Sequence, residues 1–264
     1  MSVDSTLLPE VRAVVQAAGA RLRERFTPGS RPGDLDAVLA ALQANDEASL
    51  QVLRKGLLAA RPGARWAEDE LAGGPLPAGE WWVTDPVEGN INHVHGMTDW
   101  SVTATLVRDN EPVLTVVHLP LAGDTYTAVR GGGAFRNGTR LSTSAKTGLE
   151  AAFVGTGQAK PGEGAETFRR IGQSVTAMLD AALVGKMSVP ATLLLIQVAA
   201  GRMDLFWQYS DVRSGLMAGA LLVAEAGGVV TDTRGEPWTP ASRDFLAAAP
   251  GVHPAAVDVL STIA

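Results

Sequence analysis

The chain has 264 residues, a formal net charge of −6, 46% hydrophobic and 19% charged residues, and no cysteine. That length and balance imply a globular protein with an ample core, built as one large domain or two small ones. The acidic balance and the lack of any Lys/Arg cluster argue against nucleic-acid or membrane-surface binding by long-range charge, and the missing cysteines exclude disulfides, thiolate metal sites and Cys nucleophiles. The first twenty residues carry acids and have no basic segment ahead of a sustained apolar run, so they are not read as a signal peptide. The apolar run at 190–200 is too short to span a bilayer. A cytoplasmic protein is expected.

In chain order, Leu7, Val11, Val14, Val15, Ala18 and Leu22 recur at helical spacing and predict a helix over 4–26, ending near Pro28-Gly29. A second helix is predicted from about 35 to 60, with Leu39, Leu42, Leu50, Leu53, Leu57 and Leu58 facing inward and an interruption at Asp46-Glu47. After Arg61-Pro62-Gly63 come Glu68, Asp69 and Glu70, a cluster that on its own reads as a solvated loop.

The richest stretch is 81–96, WWVTDPVEGNINHVHG. An apolar run ends at Asp85-Pro86, so a strand is expected to leave its sheet there. Glu88 follows two residues after the proline, Gly89 permits a sharp turn, and Asn90 can cap a helix. Two acids on a stiff turn at the end of a buried strand are costly unless a cation or a donor meets them. Mg²⁺ suits such a pair, because it takes carboxylate oxygens and keeps positions for water and phosphate. The amides of Gly89 and Asn90, at a helix start, would face an anion beside it. His93 is a candidate acid/base group if it reaches the cleft, and otherwise a polar loop residue. On a strand His93 and His95 would point oppositely, so no histidine metal pair is expected.

From 100 to 135 short strands alternate with turn signals, at 102–107, 113–119 and 126–129, and read as an antiparallel meander. The glycines at 131–133 are turn formers without the strand-to-helix setting of a nucleotide loop. The second half alternates: strands near 152–155, 183–187, 204–207 and 229–231, with helices at 165–182, 190–201 and 216–226. No internal repeat, low-complexity segment or Gly-x-Ser-x-Gly elbow is present.

The 85–96 stretch resembles the signature of the inositol monophosphatase family, Asp-Pro-Ile/Leu-Asp-Gly-Thr/Ser-x-Asn-aromatic-x-His-Gly. Asp85, Pro86, Gly89, Asn92, His95 and Gly96 match; Glu88, Asn90 and His93 depart from it. The resemblance implies a mixed α/β and α+β fold, a layered αβαβα sandwich of the inositol monophosphatase/sugar phosphatase type. Residues 1–145 would form the half with the antiparallel sheet and 146–264 the α/β half of one unit. By that resemblance Glu70, or Asp69 if the register slips, is a metal ligand with Asp85, the Val87 carbonyl and Glu88. Asp46 helps activate the attacking water. Gly89, Asn90, Gln208 and Asp211 meet the substrate, and His95 is structural.

The family's late Asp ligand opens a helix between a Gly-x-x-Asp strand and Glu-Ala-Gly-Gly. Gly201 to Asp204 and Glu225 to Gly228 supply both anchors, and an ungapped count between them places Gly215 on the ligand. Asp211 would need a compensating shift of 215 − 211 = 4 residues on each side. Glu88 is one methylene longer than the family's Asp, Asn90 lacks the hydroxyl that orients water, and Pro190 removes a backbone donor where the family begins a substrate-contacting helix. Two-metal chemistry is therefore impaired.

Three readings follow: a divergent Mg²⁺-dependent phosphomonoesterase acting on a small polyol, sugar or nucleotide phosphate; the same fold repurposed for metal-independent acid/base chemistry on an organic substrate; or a non-catalytic pseudophosphatase. Mg²⁺ at one site, or no cofactor, is expected. The expected partners are a small-molecule substrate and, by the resemblance, a second copy in a homodimer, with neither nucleic acid nor membrane.

Overall fold

The protein is described by a computed structural model covering residues 3–69, 72–160, 162–210 and 212–263. It begins with two long helices, α1 (Val3–Arg25) and α2 (Leu35–Ala60). The Asp34 side chain accepts a hydrogen bond from the Ala37 amide at 2.8 Å and so starts α2. The expected interruption at Asp46-Glu47 does not occur: α2 runs through unbroken, because one polar pair costs a long helix little when its apolar stripe is packed. Leu39 is 52% exposed rather than inward; Asn45, Ser49, Leu53 and Leu57 form the buried stripe, a clean i, i+4 row.

A seven-stranded sheet follows in sequence order: β1 (Arg65–Trp66), β2 (Glu80–Glu88), β3 (Ser101–Arg108), β4 (Glu111–Leu119), β5 (Asp124–Val129), β6 (Gly133–Arg136) and β7 (Thr139–Arg140). β1 pairs parallel to β2, and the remainder is the antiparallel meander that the alternation predicts. The chain does not leave the sheet at Pro86. β2 continues to Glu88 through a register shift between Asp85 and Glu88, the kind of bulge that accommodates a residue with no N–H. Between β2 and β3 lies the short helix α3 (Asn90–Val94), with His95 as its C-cap, so the two histidines are helical rather than on a strand.

The second sheet has the order β11-β12-β10-β8-β9. Its strands are β8 (Phe153–Thr156), β9 (Val184–Met187), β10 (Leu205–Gln208), β11 (Val229–Thr231) and β12 (Phe245–Ala248), and its helices are α4 (Ala165–Ala181), α5 (Ala191–Ala199), α6 (Arg213–Glu225) and α7 (His253–Leu260). β8, β9 and β10 are parallel, and β12 runs antiparallel between β10 and β11. Neither β12 nor α7 is among the elements expected from the sequence.

Apolar cores lie between the five layers. Leu22, Leu53 and Leu57 of α1 and α2 pack on Trp82, Val102 and Leu114 of the first sheet. Between the sheets, α5 and α6 bring Leu195, Ile196, Leu221 and Leu222 against Val117, Phe206 and Phe245. On the far side, Met178 of α4 and Leu260 of α7 cover Val154, Trp207 and Leu246. The architecture is the mixed αβαβα sandwich.

Candidate active site

The end of β2, the start of α3, the middle of α2 and the first turns of α5 and α6 converge. The Asp85 amide donates to Thr103 Oγ1 at 3.1 Å, and Asp85 Oδ1 accepts from the Val87 amide at 3.0 Å, so the carboxyl is set by its own turn. Asp85 and Glu88 hydrogen-bond to each other. Burial first, then the charge and hydrogen bond of Glu88, push the Asp85 carboxyl well above the usual range. Two carboxyls in that arrangement hold a proton between them, or hold a cation.

Glu88 is 6% exposed and reaches toward α6. A Cβ built on Gly215 would lie 3.3 Å from Glu88 Oε2 and 3.5 Å from Oε1. The loop between them is held by Gly89, whose φ of 86° is left-handed and whose missing Cβ would fall 2.8 Å from the Asp99 carbonyl and 2.9 Å from Pro190 Cδ. Asn92 binds the same wall: its Nδ2 donates to the carbonyls of Asp99 at 2.7 Å and Val189 at 3.0 Å. Pro190 thus packs on the α3 turn and caps α5.

On the α2 side, Asn90 is fully committed. Its Nδ2 donates to Leu42 O at 3.0 Å and Asp46 Oδ1 at 2.8 Å, and its Oδ1 accepts from Asn45 Nδ2 at 2.9 Å. Burial raises the Asp46 pKa to about 6, offset in part by the hydrogen bond from Asn90. His93 does not offer the cleft a free nitrogen. It is 4% exposed, with Nδ1 2.9 Å from Asn45 Nδ2 and Nε2 3.0 Å from the Leu22 carbonyl, and its ring packs between Phe26 and Trp100. A neutral imidazole protonated at Nε2 satisfies both contacts. The His95 ring donates to Ile91 O at 2.8 Å, a local cap contact.

Gln208 is buried. Its Nε2 donates to Ser210 O at 2.7 Å and its carbonyl faces Gly157, so it staples the ends of β10 and β8. Glu70 and Asp211 lie outside the described residues. Among the described residues Arg213 pins the 72–74 loop to α6: its amide donates to Ala72 O at 3.1 Å and its Nε to Gly74 O at 3.0 Å. Sequence reasoning gives no role to Asn45, Thr192 or Arg213, and it places Asn92 only as a match to the signature. Of the first three, Asn45 alone carries a legible sign, a polar residue placed on the apolar row of α2.

Among the described residues no group of three or more His, Asp or Glu forms a metal cluster. The donors that do meet, the Asp85 and Glu88 carboxylates, are hard oxygens. They fit one Mg²⁺ of the kind held by one or two carboxylates plus substrate phosphate and water; a side-chain ligand at Gly215 is absent. Behind the Asn92–Asp99–Val189 wall a cavity of about 250 Å³ is lined further by Met97, Gln158, Met187 and Ser188.

The model of the inositol monophosphatase family matches residues 4–262. The chain is 36% identical over 192 residues to an inositol-1-monophosphatase of Rhizobium meliloti (strain 1021), covering 72% of this chain and 71% of that protein. It is 33% identical over 188 residues to a fructose-1,6-bisphosphatase/inositol-1-monophosphatase of Thermotoga maritima, covering 69% and 68%. An inositol monophosphatase structure from Anabaena (Nostoc) sp. PCC 7120 superposes with a TM-score of 0.81 at 23% identity, over 100% of this chain and 98% of that one, a likeness of fold. With the Asp85–Gly96 signature and the five-layer sandwich, these matches make the chain a member of the inositol monophosphatase family.

Proposed function

We propose that this protein hydrolyses a small phosphate monoester with one divalent cation, Mg²⁺ by the hardness of its donors, held between Asp85 and Glu88. The observation that carries the reading is the contact between the half-buried Asp85 carboxyl and the buried Glu88, which a cation would relieve. The ion, when bound, supplies positive charge at the phosphoryl oxygens and lowers the pKa of neighbouring water. Gly89 and Asn90 turn the chain so that the α3 amides face the phosphate, and Asp46, at about 6, takes the proton of the attacking water. The water oxygen bonds to phosphorus, the ester P–O bond breaks, and the leaving alkoxide takes a proton from solvent, which Asp46 makes good with the proton it received. The cavity behind Asn92, with its amide, carboxylate and hydroxyl groups, suits the polyol, sugar or nucleoside part of the substrate.

The test is calorimetric titration with Mg²⁺ alongside an Asp85→Asn control, followed by phosphate release from a panel of polyol, sugar and nucleotide monophosphates. Binding abolished by the substitution, with release that stops on chelation, is the expected result. A wild-type protein that takes up no metal at several millimolar would overturn it. A second reading, metal-independent acid/base chemistry on an organic substrate, draws support from the raised Asp85 carboxyl beside Glu88 and Asp46; turnover that survives chelation would favour it. We take the protein to be a cytoplasmic homodimer. Among the described residues no helix is long and apolar enough to cross a membrane.

A further inference from the structure

Gly215 is the third residue of α6 and is buried, in a position where glycine is about 1 kcal/mol less favourable than alanine. The reason is spatial. A Cβ there would stand 2.9 Å from Thr192 Oγ1 and 3.3 and 3.5 Å from the two carboxylate oxygens of Glu88. Thr192 is buried and donates to the Gly215 carbonyl at 3.3 Å, so it has little room to withdraw. With both Glu88 oxygens at that range, the head group as a whole faces the position a side chain would take. Glu88, leaving the β2 bulge, ends against the first turn of a helix 215 − 88 = 127 residues further along the chain.

We propose that Glu88 and Gly215 are one coupled unit, in which the glutamate delivers to the α6 wall of the cleft the carboxylate that position 215 does not carry, and the glycine leaves it the space. The existence of the pair rests on packing alone. Its chemical consequence rests on the single-cation reading: the cleft keeps two acids for one ion, Asp85 from the floor and Glu88 against α6. A side chain added at 215 then crowds Glu88, and shortening Glu88 withdraws an acid that nothing at 215 replaces.

The test is a double-mutant cycle of wild type, Glu88→Asp, Gly215→Asp and the double variant, read by thermal unfolding in metal-free buffer and by Mg²⁺ calorimetry. Gly215→Asp alone should lower the unfolding midpoint by roughly 4 °C or more, since it sets a further carboxylate against Glu88. Glu88→Asp alone should weaken Mg²⁺ binding about tenfold or more. In the double variant at least half of each loss should return; the contact with Thr192 is common to both backgrounds and cancels in the cycle. Single effects that simply add overturn the pair. Should Gly215→Asp not fold, Gly215→Ala made in the wild-type and Glu88→Asp backgrounds reads the same coupling through the Cβ alone. A wild type that binds no Mg²⁺ defeats the cation reading, while the metal-free thermal cycle still decides the pair.

Discussion

Asn45 and His93 are joined across 48 residues by one hydrogen bond of 2.9 Å, and the histidine's other nitrogen meets the carbonyl of Leu22, in the last turn of α1. Asn45 Oδ1 in turn accepts from Arg25 Nε at 2.9 Å. A histidine placed where an aromatic residue would pack against Phe26 and Trp100 thereby ties α1, α2 and α3 together and satisfies a carbonyl that the helix end leaves unpaired. His93→Phe should keep the packing yet leave two buried polar groups unmet, at a cost of about 1–3 kcal/mol in chemical denaturation. A loss below that range would mean water replaces the ring.

The same burial lowers the His93 pKa, with Arg25 acting in the same direction and the Leu22 contact against it. A histidine depressed in the folded state binds fewer protons there than when unfolded, so stability rises with pH and falls away below the ordinary value near 6.5. His118 and His253 are depressed by burial too and contribute to the same slope. The unfolding midpoint should therefore drop between pH 7 and pH 5, and His93→Phe should flatten part of that drop. An unchanged slope would show that His93 titrates normally.

Asp46 should titrate with a midpoint of about 6 in carboxyl-carbon NMR, well apart from the surface acids. Its folded pKa lies above the unfolded one, so its contribution to stability is fully present below about 4 and is lost as pH rises through 6. Asp46→Asn, which can still accept from Asn90, should gain stability relative to wild type above pH 6 and show no gain at pH 4. A carboxyl midpoint near 4 would remove Asp46 as the base.

Asp85→Asn separates stability from function. The Asp85 carboxyl is raised by burial and by Glu88, so its ionisation destabilises the metal-free fold as pH rises. The variant should unfold at a higher temperature than wild type in chelator at pH 7.5. Mg²⁺ at a hundred times its dissociation constant should then stabilise wild type by about 2.7 kcal/mol and leave the variant unmoved. A variant less stable than wild type without metal would contradict the strained acid pair.

Away from the cleft, Glu80 at the start of β2 accepts from Arg61 at 2.8 and 3.0 Å and from Arg108 at 2.8 Å, while Arg108 also donates to Asp4 of α1 at 2.9 Å. Arg61 first, then Arg108, hold the Glu80 carboxyl below its usual range. A depressed carboxyl stabilises above its unfolded pKa and loses that contribution as pH falls through the folded value. Glu80→Gln should cost about 1 kcal/mol at pH 7, a midpoint shift of roughly 2–4 °C, and progressively less as pH falls below the ordinary carboxylate value. A shift of constant size across the acid range would assign the effect to packing instead.

Local pattern was sufficient for much of the molecule. The helices α1 and α2 and the strand meander β3 to β5 are carried by neighbours in sequence, and these elements appear where expected. β12 and α7 were not legible because a four-residue strand and an eight-residue helix are too short for periodicity to stand out, and they form by packing against Trp207, Val154 and Met178. The site was legible only as a list of acids and departures. That Glu88 ends against Gly215, that both His93 nitrogens are spent on α1 and α2, and that Asn90 faces Asp46 are contacts between residues 44 to 127 positions apart. Spacing along the chain carries no information about such pairs; they arise when burial of separate cores brings the ends of β2, α3 and α6 to one point.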